Sequence, residues 1–384
     1  MRIGIDIRAL MEGKITGVQV YITNLLEALF EFDKENEYVL FGNGFSTPPF
    51  IPPQAWGGQG RGRIKFNLFH YPNKLFIPAQ KYLGWPKVDK LLGGIDLFFS
   101  PHWRIVTLSE KIPLVVTFHD LSFEVVPEFF TLKQRLWHKF MDYRTASRRA
   151  SRIIAVSEST KRDLIDIYKV RQNKIKVIYP GVKPLPLSLP QGEGNRSSSP
   201  QSGGGKERGY FLYFGTFEPR KNVESVLLAY EQYFQASPIK RPLILAGSSG
   251  WKTHPNIPKA LTDRIMIFQD VDEKQKTKLY QGAFAFLFLS YYEGFGFPIL
   301  EAASAGLPVI SSFASSLQEI GKNFAFLVNP FRPAQVAKAM LDLENEPKFY
   351  DKLKARGLEA AKKFSWEKTA RETLEVFKNL FPSS

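Results

Sequence analysis

Short apolar runs alternate along this chain with longer stretches whose apolar positions recur at helical spacing. In the first half the runs Arg2–Arg8, Ile95–Phe99, Leu114–Phe118, Arg152–Val156 and Lys174–Ile178 predict strands. Ile95–Phe99 and Leu114–Phe118 lack the in–out alternation of a half-solvated sheet, as expected for parallel strands covered on both faces. Between them, Val18–Phe32 carries Val18, Ile22, Leu25, Leu26 and Leu29 at helical spacing. Leu132–Ala150 reads as one basic helix, and Ser157 as an N-cap. In the second half the predicted strands are Phe211–Phe214, Leu243–Ala246, Ile265–Phe268, Ala285–Leu289, Val309–Ser311 and Phe326–Val328. Helices fall between them, with Asn222, Asp272 and Ser315 as caps. Strand–helix alternation in both halves predicts an α/β protein of two doubly wound, Rossmann-like domains facing each other across a cleft.

The pattern breaks at residues 183–209. That segment holds 4 Pro, 6 Gly and 5 Ser, and no apolar side chain beyond residue 192. It cannot bury enough surface to offset its ordering entropy, so a flexible linker or disordered loop is expected there. The domains are then 1–182 and 210–364, followed by a final helix over 366–380 that could pack on either. Residues 43–90 are the least regular stretch, mixing Gly, Pro, aromatics and bases. The opening MRIGIDIRAL reads as a buried first strand, not a signal peptide.

Composition narrows the chemistry. With 384 residues and 44% hydrophobic positions, each half is large enough for its own core. The absence of cysteine removes disulfides, thiolate nucleophiles and Cys-ligated metals. Five scattered histidines include no HExxH pair, and Asp270-x-Asp272 reads as a strand end followed by an N-cap, so no metal site is expected. No apolar run approaches the roughly 18–20 residues of a membrane span. Net charge is +15, and residues 131–176 alone hold 13 Lys/Arg against 4 Asp/Glu. Such a surface favours anions, whether nucleic acid, anionic lipid or phosphorylated substrate, although a solvated helix face accounts for it equally well.

Open α/β sheets bind ligands at the carboxyl ends of their strands. Strand 211–214 leads to Arg220 and Lys221 and then a helix. Cations at a helix N-terminus are locally unfavourable, so their placement suggests a phosphate guest. Strand 285–289 leads to Glu293, Gly294, Phe295, Gly296 and Phe297, and Glu301 falls on the helix opened by Pro298. The glycines allow backbone N–H groups to approach a ligand, and the carboxylates can accept bonds from vicinal hydroxyls. In the first half, Gly17 opens the helix after strand one. His119 ends the strand Leu114–Phe118, where it can bond a substrate hydroxyl or stabilise developing charge. There is no GxGxxG after the first strand, no GxxxxGK[ST] and no GxSxG.

Glu293-GFGFPIL-Glu301 resembles the E-x7-E motif of retaining glycosyltransferases of the GT-B fold, family 4, the group 1 transferases. Further segments resemble the same family in the same order: GVQVYITNLL from Gly17, VVTFHDLSF from Val115, RIIAVSEST from Arg152, VIYPGV from Val177 and LYFGTFEPRKN from Leu212. The resemblance implies a nucleotide-sugar donor held mainly by the C-terminal domain. Arg220 and Lys221 match the family's diphosphate-binding pair and Glu293 the carboxylate that holds the donor sugar. Gly294, Phe295, Gly296 and Phe297 form the glycine-rich stretch beside it, whose backbone N–H groups face the donor. Glu301 matches the ribose ligand, His119 the histidine near the transferred sugar, and Gly17 the glycine beside the diphosphate. It also implies that the final helix returns to the N-terminal domain, that no cofactor or divalent metal is needed, and that the acceptor is a glycan or lipid-linked glycan, not a nucleic acid. A cytoplasmic enzyme is expected, with peripheral contact to anionic membrane at its inner face. The resemblance leans toward GDP-mannose as donor. Gln19, Val20 and Thr216 depart from the family pattern, which often has GxGRY after the first glycine and an arginine after the strand-end glycine. A GT-B sugar-nucleotide epimerase and a non-catalytic basic binding protein are the competing readings.

Overall fold

The computed structural model describes residues 1–12, 16–44, 63–185, 209–251 and 255–381. The chain forms two compact units. One comprises Met1–Val125, Leu132–Gly181 and Ser365–Ser384; the other comprises Val126–Thr131 and Val182–Phe364. Most of the expected linker, residues 186–208, lies outside the described residues, as do 45–62 of the irregular stretch.

Among the described residues, the first unit contains a seven-stranded sheet. Its strands are β1 (Arg2–Asp6), β2 (Glu37–Asn43), β3 (Ile64–Phe69), β4 (Leu97–Ser100), β5 (Leu114–Phe118), β6 (Arg152–Ala155) and β7 (Ile175–Val177). Their order is β3-β2-β1-β4-β5-β6-β7, and every pairing is parallel, with Ile3 opposite Tyr38 and Leu97, and Val116 opposite Ser100 and Ile153. The chain reverses its direction of travel between β1 and β4, the switch point at which doubly wound sheets bind ligands. Core strands are covered on both faces: Ile3, Ile5, Val39, Phe41, Phe98, Val116 and Ile153 are all fully buried.

Two strands were not expected. β2 follows the polar break Asp33–Asn36, and β3 lies inside the stretch read as irregular. β3 is an edge strand with one neighbour, and Lys65 and Asn67 interrupt its apolar run, so it lacks the buried-strand pattern. The basic helix expected over 132–150 is two helices, Leu132–Met141 and Tyr143–Arg149. Asp142 breaks it: its backbone adopts φ 52°, and its side chain caps the new helix by accepting from Thr145 N at 3.1 Å.

The C-terminal helix, Trp366–Lys378, belongs to the first unit. Ser365 caps it, Thr369 Oγ1 donates to Tyr179 O at 2.8 Å, and Phe377 is fully buried edge-on to Phe99 at 5.1 Å. Chain and helix meet so closely at Gly181 that a Cβ there would lie 2.3 Å from Trp366 N.

Among the described residues, the second unit carries a six-stranded parallel sheet: β8 (Phe211–Phe214), β9 (Leu243–Gly247), β10 (Ile265–Gln269), β11 (Ala285–Phe288), β12 (Val309–Ser312) and β13 (Ala325–Val328), in the order β10-β9-β8-β11-β12-β13. Its switch point is between β8 and β11, so the loops leaving those two strands diverge around a crevice. Gly247 ends β9 at φ +146°, and a Cβ there would lie 2.0 Å from the carbonyl oxygen of Gly215. Only glycine permits this approach of two strand ends.

Replacing Phe377 with alanine removes a fully buried ring from the first unit, although residue 377 follows the second unit in sequence. An unfolding loss of about 3–5 kcal/mol is expected in the transition of the first unit, read by denaturant titration with tryptophan fluorescence. Loss confined to the second unit would contradict this placement.

Candidate active site

β8 runs through Gly215 to a single 3-10 turn, Pro219–Lys221, before helix Val223–Ala236 begins. Asn222 joins the two. It adopts φ 56°, its Oδ1 accepts from Ser225 N, and its Nδ2 donates to the carbonyls of Leu289 and Pro330 at 3.1 and 3.0 Å. The turn after β8 is therefore tied to the ends of β11 and β13.

That tie brings Arg220 and Lys221 to Glu293. Lys221 Nζ lies 2.6 Å from Glu293 Oε1, and Arg220 Nη1 lies 3.2 Å from Oε2. Arg220 also donates to Tyr292 O and to Glu218 Oε1, both at 2.6 Å. The sequence places the two bases at a helix start. In the structure they lie in the 3-10 turn before that helix and are paired with Glu218 and Glu293, both buried. Glu218 escaped notice because its partner is set by the backbone turn, not by spacing.

Burial alone would raise the pKa of Glu293, but Lys221 and then Arg220 outweigh it and hold the carboxyl at about 2. The site thus contains a firmly ionised carboxylate against two cations in a largely dry setting. The loop carrying it is held from behind by two serines. Glu293 N donates to Ser315 Oγ at 2.7 Å, and Ser316 Oγ lies 2.9 Å from the carbonyls of Glu293 and Phe295. Ser315 was expected to cap helix Ser316–Gly321; its hydroxyl is engaged by Glu293 and makes no cap bond. Gly296 precedes helix Phe297–Ser304 at φ 103°, and a Cβ there would come within 2.6 Å of Leu317. Gly294 and Phe295 lie buried in the turn before it, and half-buried Phe297 opens the helix.

Glu301 stands apart from that cluster. On helix Phe297–Ser304 its Oε1 takes Lys276 Nζ at 2.7 Å, and its Oε2 accepts from Tyr280 at 3.3 Å. Burial, and then Glu301, push the Tyr280 phenol well above its ordinary range, so it stays a donor. Neither Lys276 nor Tyr280 was found from sequence. They lie on helix Glu273–Gly282, and no local pattern links that helix to Glu301. Thr216, where the family pattern often has an arginine, is half-buried near Ser248, 3.3 Å between hydroxyls.

The remaining candidates lie in the first unit. Gly17 is the first residue of helix Gly17–Phe32. Gln19 is structural: Oε1 accepts from Thr16 N at 2.8 Å and Nε2 donates to Ala9 O at 3.1 Å, pinning the loop after β1 to the helix start. His119, after β5, has Nε2 2.8 Å from Pro101 O and its ring edge-on to Tyr21. A carbonyl can only accept, so Nε2 carries the proton of the neutral ring and Nδ1 is the acceptor. Burial lowers the His119 pKa, partly offset by that carbonyl, and so favours the neutral form. With Val18, His102, Asp120 and His138 it lines a cavity of about 200 Å3.

Comparison with known proteins places this architecture. Residues 195–360 match the family model described as glycosyl transferases group 1, and residues 15–184 match glycosyltransferase family 4. The chain is 30% identical over 297 residues to O-antigen chain mannosyltransferase B of Escherichia coli, covering 74% of each protein. It is 26% identical over 302 residues to the serotype-specific mannosyltransferase WbdA of the same organism, spanning about a third (36%) of that longer protein and 75% of this chain. The chain belongs to the group 1 glycosyltransferases. Solved structures agree on the fold. Anabaena HepE, in complex with UDP and glucose, superposes with TM-score 0.69 at 16% identity over 99% of this chain and 100% of that one. Sucrose-phosphate synthase from Thermosynechococcus elongatus gives 0.70 at 19% identity over 100% of both. This glycosyltransferase therefore has the GT-B fold of two parallel-sheet α/β domains. Among its described residues no helix is long and apolar enough to cross a membrane.

The paired carboxylate makes stability depend on pH. Its folded pKa of about 2 lies below the ordinary 4.5, so Glu293 stabilises the fold above pH 4.5, and that contribution is lost as pH falls toward 2. Glu293→Gln should cost at most about 3 kcal/mol at pH 7, and the deficit should shrink on acidification. Urea unfolding of both proteins at pH 7 and 3.5 checks this; a deficit that widens in acid would refute it.

Proposed function

We propose that this glycosyltransferase moves a hexose, mannose in our reading, from a nucleoside diphosphate sugar to a glycan or lipid-linked acceptor, with retention and without a divalent metal. The observation that carries the proposal is the cluster of Arg220, Lys221 and Glu293 at the switch point of the second sheet. Two cations converging where a parallel sheet binds ligands suit a diphosphate, whose departure needs charge neutralised. Arg220 and Lys221 supply the charge that a metal would otherwise bring. The mannosyl and glycan choices draw on the O-antigen mannosyltransferases to which the chain is similar.

In this mechanism the bond from the anomeric carbon to the diphosphate oxygen breaks as the sugar gains oxocarbenium character. The acceptor oxygen forms its bond on the same face, and its proton passes to the departing phosphate oxygen. Arg220 and Lys221 hold the leaving group. Glu293 holds the donor sugar through its hydroxyls, with Gly294, Phe295, Gly296 and Phe297 shaping the loop around it, and Glu301 takes the ribose. Gly17 borders the diphosphate. Neutral His119 accepts a sugar hydroxyl at Nδ1. Glu293 and Glu218 pair with these cations, so donor binding exchanges part of that pairing for phosphate and hydroxyl contacts. The enzyme works in the cytoplasm, at the inner face of the membrane where a lipid-linked acceptor lies.

Thermal shift with UDP, GDP and ADP in EDTA tests the donor site. At 100-fold over Kd the preferred nucleotide should stabilise the enzyme by about 2.7 kcal/mol, and Lys221→Ala should lose most of that. GDP is the expected winner. Stabilisation by none of the three would overturn the reading. The anomeric proton coupling of the product, read by NMR, decides retention; an inverted product would sink the mechanism.

A further inference from the structure

We infer that Phe129 is a positioning residue of the diphosphate site, acting through Tyr291 on the guanidinium of Arg220. The inference rests on the reading of Arg220 as a ligand of the leaving diphosphate. Val126–Thr131 belongs to the second unit, although the chain on both sides of it belongs to the first. Within it Pro127–Phe129 forms a 3-10 turn, opened by the proline and closed by Phe130 N, which donates to Pro127 O at 3.1 Å. The fixed φ of proline stiffens the turn that presents the Phe129 ring.

Two rim loops of the second sheet meet this turn. Phe129 O accepts from Trp251 Nε1 at 2.8 Å, in the chain that leaves β9. Phe130 is buried, with its ring 6.0 Å from that of Trp251. The Phe129 ring stacks on Tyr291, in the chain that leaves β11, at 5.4 Å and 13°. Both loops are in turn tied to the chain that leaves β8. Phe217 N donates to Ser248 O at 3.0 Å, and a Cβ on Gly250 would lie 2.1 Å from Phe217 O. Tyr291 N donates to Arg220 O at 2.9 Å, and Arg220 Nη1 donates back to Tyr292 O at 2.6 Å.

Residues 291 and 292 therefore hold Arg220 at both its backbone and its guanidinium, and a shift in them re-aims the cation. A guanidinium meets phosphate through a rigid planar fork, so its orientation counts as much as its charge. The Tyr291 phenol is hydrogen-bonded to Ser225, on helix Val223–Ala236, which fixes the far end of the ring. Phe129 fixes its face. The stack lies near the surface: Tyr291 is half-buried, and Phe331, 4.7 Å from it, is 73% exposed. Stacking there removes little apolar area from water, so its main consequence is the placement of the Tyr291 loop.

The test is titration calorimetry of the full chain with GDP, or with UDP or ADP where that nucleotide stabilises the wild type more. Phe129→Ala should weaken binding about 3- to 10-fold, Phe129→Leu should weaken it too, and Phe129→Tyr, which keeps the stack, should bind as the wild type does. Thermal melts without nucleotide establish that each variant is folded. Arg220→Lys keeps a cation but loses the fork that reaches Tyr292 O and Glu218 together. In that background Phe129→Ala should cost less than about 2-fold, because the group it positions is gone. A Phe129→Ala variant that binds as well as the wild type overturns the inference. So does an equal loss in both backgrounds, which would make the ring a support of the fold alone. A wild type that binds none of the three nucleotides overturns the donor reading itself, whereas a wild type that binds and a Phe129→Ala that is unaffected overturn only the role of Phe129.

Discussion

Parallel strand pairing is the constraint on which the rest of this molecule depends. A parallel ladder cannot close through a hairpin, so each strand must return by a crossover that covers a face of the sheet. Both faces are thereby buried, which is why Phe98, Val116, Leu212 and Phe286 sit in unbroken apolar runs. Every strand also ends on the same edge. Loops that are remote in sequence then share one rim, and chemistry collects where the winding reverses.

At the rim of the second sheet the cost is electrostatic. A carboxylate as buried as Glu293 would ordinarily take up a proton. It remains ionised because Asn222 fixes the turn that carries Lys221 and Arg220, and Ser315 and Ser316 fix the loop that carries the carboxylate. Such a cluster is strongly coupled: removing Glu293 takes from Lys221 its carboxylate partner, while Arg220 keeps Glu218 and Tyr292 O. It is also exchangeable, since a phosphate can take the cations and hydroxyls can take the carboxylate. A site that is charged, dry and internally balanced suits a ligand of mixed charge and hydroxyl character.

The first sheet meets different demands. At the ends of β1 and β5 its rim carries a buried Arg8–Asp6 ion pair at 2.6 Å, His119 held by the Pro101 carbonyl, Tyr21 beside it, and Gln19 buried in a capping role. Its exterior is where apolar side chains and bases share an uncovered surface. Charge at the strand ends is compensated in both units, by Asp6 at Arg8 in the first and by Glu218 and Glu293 at Arg220 and Lys221 in the second.

Much of this was legible in the residues alone. Apolar runs such as Leu114–Val116 identify parallel strands because burial on both faces leaves no room for regular polar alternation. Glu293, the glycines after it, and Arg220-Lys221 were visible because strand ends followed by helix starts are local patterns. β3 was hidden because an edge strand tolerates an exposed Lys65 and a half-buried Asn67 within its apolar run. The break at Asp142 was hidden because a left-handed backbone there leaves the helical spacing on either side intact. What only the tertiary structure decided is partnership. That Glu293 balances the two bases and that Lys276 and Tyr280 hold Glu301 depend on contacts between segments far apart in sequence. Periodicity along a chain reports which side of an element is buried; it carries no record of what that side is buried against.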